Sequence, residues 1–179
     1  MMAQPSLRAF GWLDIVRLGL VQACLGSMVV VATSTLNRIM VVELALPAMV
    51  PGLLVGFHYL VQVLRPRMGF EADQGRRCTP WMMGGMALLA VGGVLASTAT
   101  AWMAESLTQG LALNLLAFGL IGVGVSACGT SLLALMAKRV PTPLRAPAAT
   151  TVWVMMIMGF RSEEHTSELQ SHSDLVCRL

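Results

Sequence analysis

Long uninterrupted apolar runs alternate with short charged clusters along this chain, and that pattern rather than any helical or strand-like alternation organises it. The runs fall at about 18–36, 45–64, 81–103 and 111–136, and a shorter one covers 148–160. A hydrocarbon core about 30 Å thick needs about 20 apolar residues in a helix, so the first four runs predict complete membrane spans and the last a truncated fifth. A β-barrel satisfies its backbone in lipid as well, but it needs alternating segments of about ten residues. Continuous stretches such as MALLAVGGVLA exclude that pattern. The predicted fold class is therefore an all-α polytopic membrane protein: an N-terminal segment over 1–17, a helical bundle over 18–160 and a distinct tail over 161–179.

Composition agrees with lipid as the solvent. Of the 179 residues, 56% are hydrophobic and 12% charged, against about 25% charged in soluble domains; the mean hydropathy is +0.72. The first run is read as a retained helix and not a cleaved leader, because a long segment of mixed charge precedes it and no small-residue cleavage site follows. Cys24, Cys78, Cys128 and Cys177 form no CxxC pair and have no His at ligand spacing, so neither a disulfide framework nor a metal site is expected.

Charge sets an orientation. Arg8 and Arg17 precede the first run, Arg65, Arg67, Arg76 and Arg77 lie between the second and third, and Lys138, Arg139 and Arg145 follow the fourth, all on one side. Opposite them stand Arg38, Glu43 and Glu105. The positive-inside bias puts the N-terminus in the cytoplasm of a multi-pass membrane protein. The basic balance thus follows from topology, and no nucleic-acid partner is expected.

After Phe160 the composition changes in one step, from TTVWVMMIMGF to the polar RSEEHTSELQSHSDLVCRL. Thirteen apolar residues are too few to cross a bilayer, and RSEEHTSELQSH resembles the in-frame translation of a common short-read sequencing adapter. Residues 161–179 are accordingly expected to be an artefactual tail, and the chain a fragment that does not perform the complete function.

Several polar side chains lie within the runs, where they are costly unless paired or wetted. Gln22, Asn37 and Arg38 bring rising polarity toward the outer end of the first span, as a cavity-lining helix would. Arg38 and Glu43 bracket a short link or a helix extension; they either pair with each other and tie the first two spans together, or contact an anionic substrate group. His58 and Gln62, four residues apart, share a helix face. They can line a path, relay protons or bring an imidazole to a pigment magnesium, or the histidine can simply hydrogen-bond between helices. Gly52 and Gly56 stand in GxxxG spacing, and Gly84, Gly85, Gly92, Gly93, Gly122 and Gly124 make the third and fourth spans suited to close packing. Neither a nucleophile elbow, nor a P-loop, nor HExxH occurs, so the chain is not read as an enzyme.

The segment RPRMGFEADQGRRCTPW resembles the signature between the second and third helices of major facilitator transporters through Gly69, Asp73, Gly75, Arg76 and Arg77. Only Gln74 separates Asp73 from Gly75, where that family usually has two residues. Together with LGSMVVVATSTLNRIMVVELALPAMVPG, FHYLVQVLRPRMGF and GRRCTPWMMGGM, it resembles the PucC/LhaA branch, the bacteriochlorophyll delivery proteins. That resemblance implies the first half of a twelve-helix facilitator fold, a role in light-harvesting complex assembly, and bacteriochlorophyll as a delivered ligand rather than a resident cofactor. It also implies the lipid bilayer, light-harvesting subunits and bacteriochlorophyll synthesis proteins as partners, and a gating role for Asp73, Arg76 and Arg77. A facilitator for another small molecule and a structural scaffold for antenna subunits are the alternatives.

Overall fold

The computed structural model describes residues 10–74 and 78–177, and among them every regular element is helical. Helix α1 runs Trp12–Glu43. Gly11 enters it in an extended conformation, and its N–H donates to the Asp14 carboxylate at 3.2 Å. This is the carboxylate half of a capping box, placed where the positive helix end favours an anion.

The first span is longer than expected. The apolar run ends at Leu36, and of the two readings of Arg38 and Glu43, a link or a helix extension, the extension forms, because no Gly or Pro stands between Ser27 and Pro47 to stop the helix. It continues instead through two π-turns, Val31–Thr35 and Ile39–Glu43, in which the bond spacing widens: Leu44 N–H donates to Ile39 O at 3.1 Å. The chain finally turns at Ala45, whose φ of 49° is left-handed, just ahead of Pro47.

The second run also differs from its predicted form. Helix α2 (Met49–Val61) gives way to a 3-10 turn at Gln62–Leu64 and then to α3 (Arg65–Gln74), so much of the expected loop is helical. Pro66 lies in the first turn of α3, where its missing N–H costs nothing. At 1.5 Å per residue α2 spans only about 20 Å by itself. Among the described residues three helices are long and apolar enough to cross a membrane: α1, α4 (Cys78–Trp102) and α5 (Leu107–Arg139). Arg145–Cys177 forms α6. The fifth run is therefore the first half of a longer helix, because the polar residues after Phe160 include no Gly or Pro to break it.

Helix α5 is the hub, with α2, α3 and α4 packed on it, while α1 pairs with α6. Small residues set both main seams. A Cβ on Gly85 would sit 2.7 Å from Cys128 N and 2.9 Å from Gly124 O, and one on Gly124 would meet Leu89 N at 2.8 Å, so α4 and α5 touch backbone to backbone. In the other seam a Cβ on Gly159 would lie 2.7 Å from Ala23 O, and Ser27 Oγ donates to Gly159 O at 3.2 Å. Leu25, Met40, Leu54, Leu89, Phe118, Ile121 and Cys128 form the central core. Large apolar side chains also cover the outside, among them Leu13, Leu20, Val94, Leu116 and Ile157. A helix apolar all round has lipid for its solvent.

Candidate functional site

Pro51, Leu54 and His58 make the buried stripe of α2, and the imidazole of His58 is 0% exposed. Its backbone approaches α5 at Gly122, where an added Cβ would meet His58 O and Val61 Cβ, each at 3.0 Å. One turn on, Gln62 Nε2 lies 2.6 Å from His58 Nε2. With the amide as donor, Nε2 accepts and the ring proton resides on Nδ1. The Phe118 backbone bears on the ring from α5, yet Nδ1 completes no hydrogen bond of ordinary geometry. The expected His58–Gln62 face is thus real, and it is turned into the α2–α5 seam. The His58 side chain is fully buried against α5, and its bond to Gln62 runs along its own helix; reaching a magnesium ion requires α2 to part from α5.

The other polar candidates do not converge. Gln22 sits in the α1–α6 seam, its Nε2 3.1 Å from Met156 Sδ and its Oε1 buried without a partner. Asn37 is half-buried, and Arg38 and Glu43 are exposed near the C-terminal end of α1. The expected Arg38–Glu43 pair is absent among the described residues, where the ion pair seen is Arg17–Asp14 at 3.5 Å. The reason is the continuous helix: both residues ride on one helix end rather than on two facing spans. Gly69 lies on α3 facing Thr130 of α5 at 3.9 Å, and Asp73 belongs to the last turn of α3. Gly75, Arg76 and Arg77 lie outside the described residues.

A further polar site emerges between α4 and α5. Asn114, 0% exposed, donates from Nδ2 to Thr100 Oγ1 at 3.1 Å, and Thr100 in turn donates to Ala96 O at 2.8 Å. Asn114 stands out in sequence as the amide of its span. Its partner depends on the register of the α4–α5 hairpin, which the tight Trp102–Ser106 turn fixes.

The family model described as PUCC protein matches residues 35–166, from the C-terminal part of α1 into α6. The chain belongs to the PUCC protein family. Relatives include the bacteriochlorophyll synthase 44.5 kDa chain of Rhodobacter capsulatus, 52% identical over 83% of this chain and 35% of that protein. The protein PucC of Rhodobacter capsulatus is 30% identical over 81% of this chain and 34% of its own length. The Cereibacter sphaeroides protein PucC is 28% identical over 81% and 34%. The chain therefore spans about a third of the length of these relatives. No solved structure matches it.

Proposed function

We propose that this chain is part of a pigment-handling membrane protein that assists light-harvesting complex assembly by delivering bacteriochlorophyll, without itself catalysing a reaction. Membership of the PUCC family over residues 35–166 carries the reading, and it is supported by relatives named for PucC and for bacteriochlorophyll synthase. An apolar, long-tailed macrocycle partitions into the bilayer, which suits a protein whose spans are apolar on their outer faces. In this proposal the fold is the first half of a major facilitator, with the N-terminus in the cytoplasm. Asp73, Arg76 and Arg77 hold the inner face closed, and Gln22, Asn37, Arg38 and Glu43 lie along the side from which a ligand is handled. His58 and Gln62 act first as a helix joint, and meet pigment only in a state with α2 displaced. Light-harvesting subunits and the enzymes of pigment synthesis are its partners.

One observation favours a scaffold for antenna subunits as the second reading. The outward face of α2 is smooth and unoccupied: nothing lies within 4 Å of a Cβ placed on Gly52 or Gly56, and Leu53 and Leu60 beside them are 65% and 66% exposed. Purification of the full-length parent from a phototrophic host separates the two. Delivery predicts co-purifying bacteriochlorophyll and a fall in antenna complexes when the gene is deleted. Absence of pigment together with unchanged antenna levels refutes it, whereas reduced antenna without bound pigment selects the scaffold.

A further inference from the structure

Where α4 begins and α5 ends, the two helices leave a crevice of about 530 Å³, lined by Cys78, Thr79, Pro80, Met83 and Leu135 and by the cations Lys138 and Arg139. The bilayer fixes its depth. Trp81 and Trp102 on α4 are 40% and 49% exposed. Their separation of 21 positions is about 31 Å at 1.5 Å per residue, close to the hydrocarbon thickness of about 30 Å. Partly exposed tryptophans at both ends of a span sit at the headgroup boundaries. Cys78 and Thr79 lie just outward of Trp81, so the crevice opens at the level of the lipid phosphates.

Its walls are of two kinds. Lys138 and Arg139 are exposed in the last turn of α5, and the Thr79 hydroxyl is exposed across from them. Arg145, the next cation along the chain, donates from Nε to Val140 O at 3.2 Å and holds the connector to α6. Toward the bilayer centre the lining becomes apolar at Met83 and Leu135. Pro80 also borders a second groove, about 310 Å³, along Met68, Trp81, Gly84, Leu88 and Val123. Pro80 borders both grooves, so an apolar lane along the first turns of α4 adjoins the basic mouth.

We infer that this crevice is a binding site for an anionic phospholipid, its phosphate held by Lys138 and Arg139 and an acyl chain lying along the Pro80 lane. A basic pocket between spans at headgroup depth recognises this chemistry: the charge selects the anion, and the apolar lane selects an amphiphile over a free ion. The site is separate from the pigment reading above and does not rest on it.

Native mass spectrometry of the full chain tests it, with phosphatidylglycerol and phosphatidylcholine of identical acyl chains. The expected result is one retained phosphatidylglycerol and no comparable retention of phosphatidylcholine. The variant K138Q/R139Q should weaken it about twenty-five-fold, as two cations each worth about a factor of five near an anionic surface. Leu135→Trp, which fills the apolar wall and keeps both charges, should also weaken binding, whereas R65Q/R67Q on α3 should not. Circular dichroism establishes that each variant keeps its helices; if K138Q/R139Q does not, the Leu135→Trp and R65Q/R67Q comparison decides. Equal retention of both lipids, equal loss in R65Q/R67Q, or displacement of the lipid by millimolar inorganic phosphate overturns the inference.

Discussion

Gly84 and Gly85 are neighbours on α4, and the same methyl group added to each should have opposite effects. On Gly85 the new Cβ would lie 2.7 Å from Cys128 N and 2.9 Å from Gly124 O, both backbone atoms of α5. Neither can rotate aside, so the helices must separate by several tenths of an ångström along a seam that also carries Leu89, Gly92 and Ile121. Overpacking of a close-packed core costs about 1–3 kcal/mol. On Gly84 nothing lies within 4 Å, and replacing a helical glycine by alanine gains up to about 1 kcal/mol of propensity. Thermal unfolding in detergent micelles, followed by tryptophan fluorescence, reads the difference. At about 2–4 °C per kcal/mol for a chain of this size, Gly85→Ala should lower the midpoint by roughly 2–12 °C, and Gly84→Ala should leave it unchanged or raise it. Equal losses in both, or a neutral Gly85→Ala, would refute the backbone-to-backbone seam.

Two further outcomes are expected. Gln62→Leu removes the partner of His58 Nε2 and leaves a buried nitrogen unpaired, a cost of about 1–3 kcal/mol; the double variant with His58→Leu should recover most of that loss, and a double variant as unstable as the single one excludes a joint made by the pair. In a background with native cysteines replaced by alanine, cysteines at Glu105 and Thr142 should be labelled by an impermeant maleimide from opposite sides of the membrane, with Thr142 on the cytoplasmic side; labelling of both from one side contradicts the arginine-based orientation.

The helical character of the chain was legible because runs of bilayer length need no partner to be recognised. Boundaries were harder to read, and for definite reasons. Arg38 and Glu43 fit a link or a helix extension, and the extension forms because charge does not stop a helix; Gly and Pro do, and the next stop is Pro47. RPRMGFEADQ looks like a loop, yet its Met68 and Gly69 meet α4 and α5, and that tertiary contact accompanies a helix. The glycines announced close packing without naming partners: Gly85 and Gly124 found each other, whereas Gly52 and Gly56 face outward. Within the candidate site, spacing four residues apart brought His58 to Gln62. Nothing local to the sequence joins Gln22 to Met156 or Asn114 to Thr100, since both contacts depend on which helices become neighbours.

The α1–α6 seam has a consequence for biogenesis. Gln22 and Met156 are 134 positions apart, and Ser27 and Gly159 are 132 apart. At about 5–20 residues per second, translation alone leaves the opening helix waiting roughly 7–27 s for its mate to emerge. Throughout that interval the narrow flank bearing Gly19, Gly26 and Ser27 is solvated by lipid tails, so this helix must be a stable tenant of the bilayer before it has any protein neighbour there, and docking with the latecomer displaces lipid rather than water.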